Sequence, residues 1–388
     1  MDKQMHLKTY DDVLELYRNQ KKIYAKFLTP HRVISTCRVN GGLRDDISVL
    51  LNHQSCEPCN HMGAHTKKIT QEPEAYLEQI CTREGLDWRY CACLGTAANM
   101  NYAAIYKEQF QNLWVMAVAT GGVEANAGRA GDDAHYYEKD GAWVHVDDIG
   151  KTPTPGTINI MIFINKPLNC GSMARAIVTA TEAKTAVLQE LAVNSRYSDG
   201  LATGTGTDQI AVAARLTDEP ELTSAGKHTK LGELIGKAVK KAVRKTLCLQ
   251  NRLSPEGQRS VKIHIERFGT DKKEMIQGIC SHLNDDLARL AKDNIDSINR
   301  DPLIVAAVAA LVHLRDKSAW GILPATCMKE IFSSFGAQVA MAVSGRTDQI
   351  ETYRLKLSQN LSNTSDKAML ALIFKALAMG FEEKWKIT

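Results

Sequence analysis

No apolar run in this 388-residue chain approaches the roughly 20 residues that carry a helix across a bilayer. The longest, Leu303 to Leu311 (LIVAAVAAL), is about nine residues and reads as a buried helix. The N-terminal stretch MDKQMHLKTYDDVLELY mixes acids with bases. It has neither the apolar segment nor the small-residue cleavage site of a secretory signal, so cytoplasmic residence without membrane insertion is expected. Nor is there the electrostatic footprint of a nucleic-acid binder: the net charge is +4, and bases are interspersed with acids. The densest basic stretch, Lys227 to Arg244, sets Leu231, Leu234, Ile235, Ala238 and Ala242 at helical spacing with most of its lysines off that stripe. It reads as a solvated helix face. Solenoid-length repeats and low-complexity tracts are also lacking.

What is present divides in two. Up to about residue 225, short apolar runs alternate with Gly, Thr and Asn clusters. This predicts an α/β or α+β region with a mixed sheet and Gly/Thr-rich loops. The turn-rich TDEPELTSAGKH places a boundary between residues 1–228 and 229–388. Beyond it helix signals dominate: Ser254-Pro255 and Asp301-Pro302 each read as an N-cap followed by proline at the first helical position, predicting an all-helical C-terminal region.

Four segments carry chemistry. In TINIMIFIN, Ile158, Ile160, Ile162 and Ile164 alternate with Thr157, Asn159, Met161 and Phe163, the period of a mostly buried strand. Thr157 and Asn159 either cap a turn after Pro155-Gly156 or line a site. The next helix, Ser172 to Leu191, gathers Met173, Ile177, Ala180, Leu188 and Leu191 into a stripe with Lys184 near its middle and Thr181 beside it. Either the lysine stem snorkels out or its ammonium enters a polar site. Glu182 lies on the side shared with Arg175 and Gln189. The run SRYSDGLATGTGTD then offers Tyr197 and the loop Thr203, Gly204, Thr205, Gly206, Thr207 and Asp208. Its glycines allow close backbone approach, and its N–H and hydroxyl groups suit phosphate or carbonyl oxygens equally. No Gly-Lys-Ser/Thr follows, and the dinucleotide fingerprint does not fit. A second loop, TGGVEANAGRAGDDA, brings together Asn126, Arg129 and Asp132.

Ten cysteines in a reducing compartment are not expected to form structural disulfides. Cys56, Cys59, His61 and His65 follow one another closely, but the spacing is not a usual zinc pattern, so no metal is expected. The other reading is a polar loop with packed thiols.

Taken together, VNGG (Val39 to Gly42), NHQSCEP (Asn52 to Pro58), TGGVEANAGRAGD, GTINI, TATEAKTAVLQEL and SRYSDGLATGTGTD resemble the adenosylcobinamide amidohydrolase family of corrinoid salvage. The resemblance runs from about residue 35 to about 245, with Thr179 to Asp208 its most specific part. It implies hydrolysis of the amide between the corrin propionyl arm and 1-amino-2-propanol, giving adenosylcobyric acid. Lys184, Asp208, Asp132, Glu182 and Thr157 become the catalytic candidates. Besides the loops, Asn40, His53, Gln54, Ser55, Glu57 and Asn159 join the substrate-binding set. The expected oxyanion donors are N–H groups of residues 203–207 with Lys184, and the expected base is Asp208 or Asp132. A metal-bound hydroxide or a Thr157 or Cys56 nucleophile stays open. No cofactor is expected, because the cobalt belongs to the corrinoid substrate; no nucleic-acid partner is expected, and homo-oligomers are left open. A non-catalytic corrinoid carrier and a phosphate-binding transferase are the rival readings.

Overall fold

The structure is a computed structural model describing residues 5–55, 71–146, 156–359, 361 and 363–386. The chain divides into two units, Met1–Leu253 and Ser254–Thr388. In the first, chain order runs β1 (Met5–Tyr10), β2 (Leu14–Arg18), β3 (Lys22–Phe27), β4 (His31–Ser35), β5 (Gly42–Arg44), β6 (Val49–Gln54), α1 (Pro73–Thr82) and β7 (Cys91–Thr96). Then come β8 (Ala104–Phe110), β9 (Leu113–Gly121), β10 (Ala127–Gly128), β11 (Tyr136–Lys139), β12 (Ala142–His145) and β13 (Ile158–Ile164). Helix α2 (Cys170–Glu190), β14 (Gly204–Thr205), β15 (Gln209–Arg215) and α3 (Lys230–Asn251) complete the unit.

Two mixed sheets result. One has the order β1-β2-β3-β6-β7, with β6 and β7 parallel. The other has the order β5-β4-β15-β13-β9-β8, with β13 and β15 parallel. The alternation in β13 shows how they stack. Ile158, Ile160, Ile162 and Ile164 join a core with α2 and α3. Met161 and Phe163 point the other way, into a core shared with Leu14, Ile23 and Leu50 of the five-stranded sheet. That sheet's far face packs Tyr24, Leu51 and Cys91 on Leu77, Ile80 and Cys81 of α1. The unit is therefore four layers, helix, sheet, sheet, helices, and β13 is buried on both faces.

The boundary falls after Leu253 and not at residue 228. The turn-rich segment ending at Gly226 leads into α3, whose Leu231, Ile235, Ala238, Ala242 and Leu247 close the core over β9 and β13. The basic face expected there is solvated, with Lys237 and Lys230 paired to Glu233.

Among its described residues the second unit contains helices and no strand: α4 (Pro255–Gln258), α5 (Val261–Ile265), α6 (Lys272–Cys280), α7 (Asp285–Asp293), α8 (Ile295–Arg300), α9 (Pro302–Ala319), α10 (Met328–Ser344), α11 (Ile350–Ser358) and α12 (Asp366–Lys384). Both expected caps form, Ser254 accepting from the Gly257 N–H and Asp301 from the Leu303 and Ile304 N–H groups. Ile304, Val308 and Leu311 are buried on α9, but Leu303 at its first turn is exposed. No described helix is long and apolar enough to cross a membrane.

Candidate active site

Asn169 caps α2 by accepting the Ser172 N–H. The helix buries Met173, Ala176, Ala180, Val187 and Leu188 against the sheet. Lys184 falls in this buried set, only 6% exposed. Its ammonium pairs with the Asp208 carboxylate, so the stem does not snorkel out. A buried cation needs such a partner, since an unpaired one costs several kcal/mol.

Asp208 does more than neutralise the lysine. Its Oδ1 accepts the Thr205 hydroxyl at 2.6 Å and the Ile158 N–H at 2.9 Å. Its Oδ2 accepts the Thr205 N–H at 3.1 Å as well as the Lys184 ammonium. One carboxylate thus ties α2, the 203–207 loop and the head of β13 together. Each oxygen already accepts two bonds, so Asp208 has no acceptor position left for an incoming water. The general-base role expected of it does not fit this geometry; it is a positioning residue.

Gly204 lies against the pair: a Cβ there would come within 2.6 Å of the Lys184 Nζ and closer still to Asp208. Thr157 and Thr207 touch through their hydroxyls, and Thr207 donates to the Gly156 carbonyl at 2.8 Å. The loop's N–H groups are largely committed. Thr203 donates to Gly128, Thr205 to Asp208, and Thr207 to the Thr205 hydroxyl. Gly204 is paired with Gly128 across β10 and β14, and the Gly206 N–H has no acceptor among the described residues, which leaves it and Lys184 as candidates for the oxyanion role expected of residues 203–207.

Opposite stands the second glycine loop. Asp132 accepts the Ser195 hydroxyl at 2.6 Å and the Arg129 N–H at 2.7 Å. Burial by itself would raise this carboxyl, but hydrogen bonds from Ser195, Ser198 and Arg129 outweigh it and hold Asp132 below the ordinary carboxylate value. Tyr197 donates to Asn126 at 2.6 Å, and Asn126 in turn holds the Gly156 carbonyl. Burial, then the nearby Asp132 charge, pushes the Tyr197 hydroxyl up, so it stays a donor.

These loops enclose a cavity of about 900 Å³. Lys184, Asp208 and residues 203–207 line one side, and Asn126, Arg129, Asp132 and Tyr197 the other.

Residues 7–255 match the model of the CbiZ family, adenosylcobinamide amidohydrolase. The chain belongs to this family. It is 41% identical over 214 residues to an uncharacterized protein of Methanocaldococcus jannaschii, covering 53% of this chain and 83% of that one. It is 25% identical over 186 residues to an adenosylcobinamide amidohydrolase of Methanosarcina mazei, covering 46% of this chain and 76% of that protein. The crystal structure of the PH0078 protein from Pyrococcus horikoshii OT3 aligns over 64% of this chain and 83% of its own, at 12% identity. Its TM-score of 0.30 is too low to define a shared fold.

Other expected site residues of this family member lie elsewhere. Glu182 is exposed, pairs with Lys227 and does not line the cavity; one step along α2 from the buried face points it to solvent. Asn40, at a positive φ of 55°, spends its amide on the Trp88 and Cys91 carbonyls and its oxygen on Arg44, a structural tie. His53 contacts the Tyr76 hydroxyl, and Gln54 accepts the Met100 N–H. Asn159 is buried between the sheets, donating to Asn52 and to the Gly95 carbonyl. Thr157 is buried just behind Thr207. Ser55 lines a separate cavity of about 240 Å³, which shares Thr207 with the large one.

Cys56, Glu57, Cys59, His61 and His65 lie outside the described residues. Among the described residues no group of three His, Cys, Asp or Glu could hold a metal. Contact with Cys81, then burial, raises the Cys91 thiol, and burial raises that of Cys93 well above its ordinary value.

Sequence reasoning missed Thr185, Gln189, His135 and Tyr136. Thr185 and Gln189 hold the loop by donating to the Thr203 and Ala202 carbonyls. Their spacing of four along α2 was the available signal. His135 and Tyr136 line the cavity just past the glycine loop. Nothing in their local pattern marks them.

Proposed function

We propose that this chain hydrolyses the amide joining the corrin propionyl arm to 1-amino-2-propanol in adenosylcobinamide, giving adenosylcobyric acid. Family membership supports the reaction class. The observation that carries the reading is the Lys184 ammonium, buried under a Gly/Thr loop yet opening on a cavity of corrinoid scale. A corrinoid is broad and fringed with neutral amides. Its site calls for many hydrogen-bonding groups and few charges; Asn126, the Tyr197 hydroxyl and the loop threonines are such groups.

In this mechanism the amide oxygen rests on the Lys184 ammonium and the Gly206 N–H, which stabilise the negative charge that develops as water adds. His135, an imidazole that lines the same cavity, takes the proton from that water. The C–N bond then breaks, and the same proton passes to the departing nitrogen. Water is the only co-reactant. The cobalt arrives with the substrate and stays with the product.

The test is incubation of purified protein with adenosylcobinamide and detection by mass spectrometry of adenosylcobyric acid and free aminopropanol. Corrinoid bound and returned unchanged would make the protein a carrier instead.

A further inference from the structure

We infer that Trp143 receives the adenine of the substrate's upper ligand and so makes the site prefer adenosylated corrinoids. This rests on the proposed substrate and adds a specificity-determining residue to it.

The argument begins with the hairpin of β11 and β12. Asp140 and Gly141 both have positive φ, 51° and 75°, the two-residue turn whose twist suits a hairpin. The register pairs Tyr136 with His145 and Glu138 with Trp143. Side chains alternate along a strand and directly paired residues share a face, so these four residues lie on one side. Tyr137 and Val144 lie on the other. Tyr136 is among the residues that line the large cavity, so the face that carries Trp143 also carries a cavity-lining residue, with Trp143 just beyond that lining.

That face extends an aromatic wall. His135 packs edge-on against Tyr197 with ring centroids 5.2 Å apart, and Tyr136 against His145 at 5.1 Å. Trp143 carries the series outward and is 67% exposed, with no ring partner among the described residues. A single exposed apolar side chain usually needs no explanation. Here the hairpin register sets it on the same face as Tyr136, which lines the cavity, and a cavity of that size calls for an occupant.

Of the parts of an adenosylated corrinoid, the adenine fits best. The corrin is puckered and rimmed with methyls and amides, matched by the Asn and Thr loops. Adenine is flat and aromatic, and an indole stacks on it favourably. Glu138, directly across from Trp143, offers a carboxylate to the exocyclic amino group.

The experiment measures binding of the full chain to two ligands in the dark, adenosylcobinamide and a cobinamide carrying water in place of the adenosyl group. Wild type should favour the adenosyl form by about tenfold to a hundredfold, the range of one base-stacking contact. In Trp143→Ala that ratio should fall toward one, and Trp143→Phe should restore most of it. Equal affinities in wild type, or an unchanged ratio in Trp143→Ala, overturns the inference. If wild type also hydrolyses adenosylcobinamide, the functional reading survives that result. Wild type that binds neither ligand sinks both.

Discussion

The sheet unit and the helical unit both bury polar side chains, but they finish them differently. In the helical unit the buried charges close on one another. Asp316 accepts from Arg267 and Arg315, Arg315 also pairs with Asp366, and the Phe268 ring lies 4.7 Å and 4.8 Å from the two guanidinium carbons. Asn299 is likewise filled by the Ser260 hydroxyl and the Lys262 N–H. In the sheet unit the Asn159 Oδ1, the His31 Nε2 and the Ser172 hydroxyl are buried without partners, and Lys184 spends one donor on Asp208 while facing open space. Among the described residues, unused polar capacity is concentrated in the unit that carries the family match, which ends at residue 255; in the helical unit it is limited to the Thr270 hydroxyl. The helical unit has a cavity of about 500 Å³, but its polar network serves packing.

The contrast is tested hardest where its effects are largest. Asp316→Asn strips two arginines of their shared carboxylate, a loss expected to cost about 3–5 kcal/mol of stability. Denaturant unfolding should show it, while turnover of the still-folded protein stays at the wild-type rate. A matching loss of turnover in folded protein would give the helical unit a part in the chemistry. Lys184→Met should do the reverse: turnover falls by roughly two orders of magnitude or more, the scale of a lost electrostatic group. The melting temperature should move little, because Asp208 keeps three other donors. Asp208→Asn, by contrast, should lower melting and turnover together, since it loosens three elements at once. Smaller again is Gly204→Ala, whose added methyl must push the Lys184 and Asp208 pair aside. A drop of about tenfold in kcat, with the fold retained, is expected from a displacement on this scale. Unchanged kcat would mean that the pair need not sit where it does.

How far this was legible in the sequence follows the range of the forces involved. The alternation in β13, the proline caps at Ser254 and Asp301 and the place of Lys184 on the apolar stripe are local, with periods of 2 and 3.6, and could be read directly; whether the lysine stem snorkels out could not. Asp208 stood out as an acid at the end of the loop that follows the helix, but as a general base; its pairing with Lys184 is visible only in the fold. What needed three dimensions was the count of acceptors. Nothing in the string TGTGTD says that Asp208 already takes four bonds, or that alternate N–H groups of the loop are spent. The boundary near residue 228 misled because a chain turn was read as a domain edge; only the packing of α3 on β9 and β13 shows that the first core is incomplete without it. Asn40 lies in a motif of the family resemblance and proved to be a tie between loop and strand.

Acid should sharpen the comparison by finding one of the unanswered groups in the sheet unit. His31 is 1% exposed, stacks on Phe27 at 4.1 Å and directs its Nδ1 at the Thr29 carbonyl 2.7 Å away. That contact makes Nδ1 the donor and leaves Nε2 without a partner. A second proton would put a charged N–H where no acceptor exists. Burial, with the nearby Arg215 charge adding to it and the Thr29 contact opposing, therefore pushes His31 down to about 4 from an ordinary 6.5. The unfolded chain binds this proton below pH 6.5 and the folded chain does not until about pH 4. Stability from the neutral imidazole is thus fully present above pH 6.5 and is lost as pH falls toward 4. At pH 5.5 the loss is roughly 1 kcal/mol. His31→Gln cannot titrate, so its unfolding free energy should fall less between pH 7 and pH 5.5 than that of wild type, by about that amount. The variant gives up the ring stacking as well, so the slope with pH is the readout and not the absolute stability. Parallel slopes for the two proteins would mean that His31 already finds an acceptor when protonated, and that this corner of the sheet unit is as fully satisfied as the Asp316 network of the helical one.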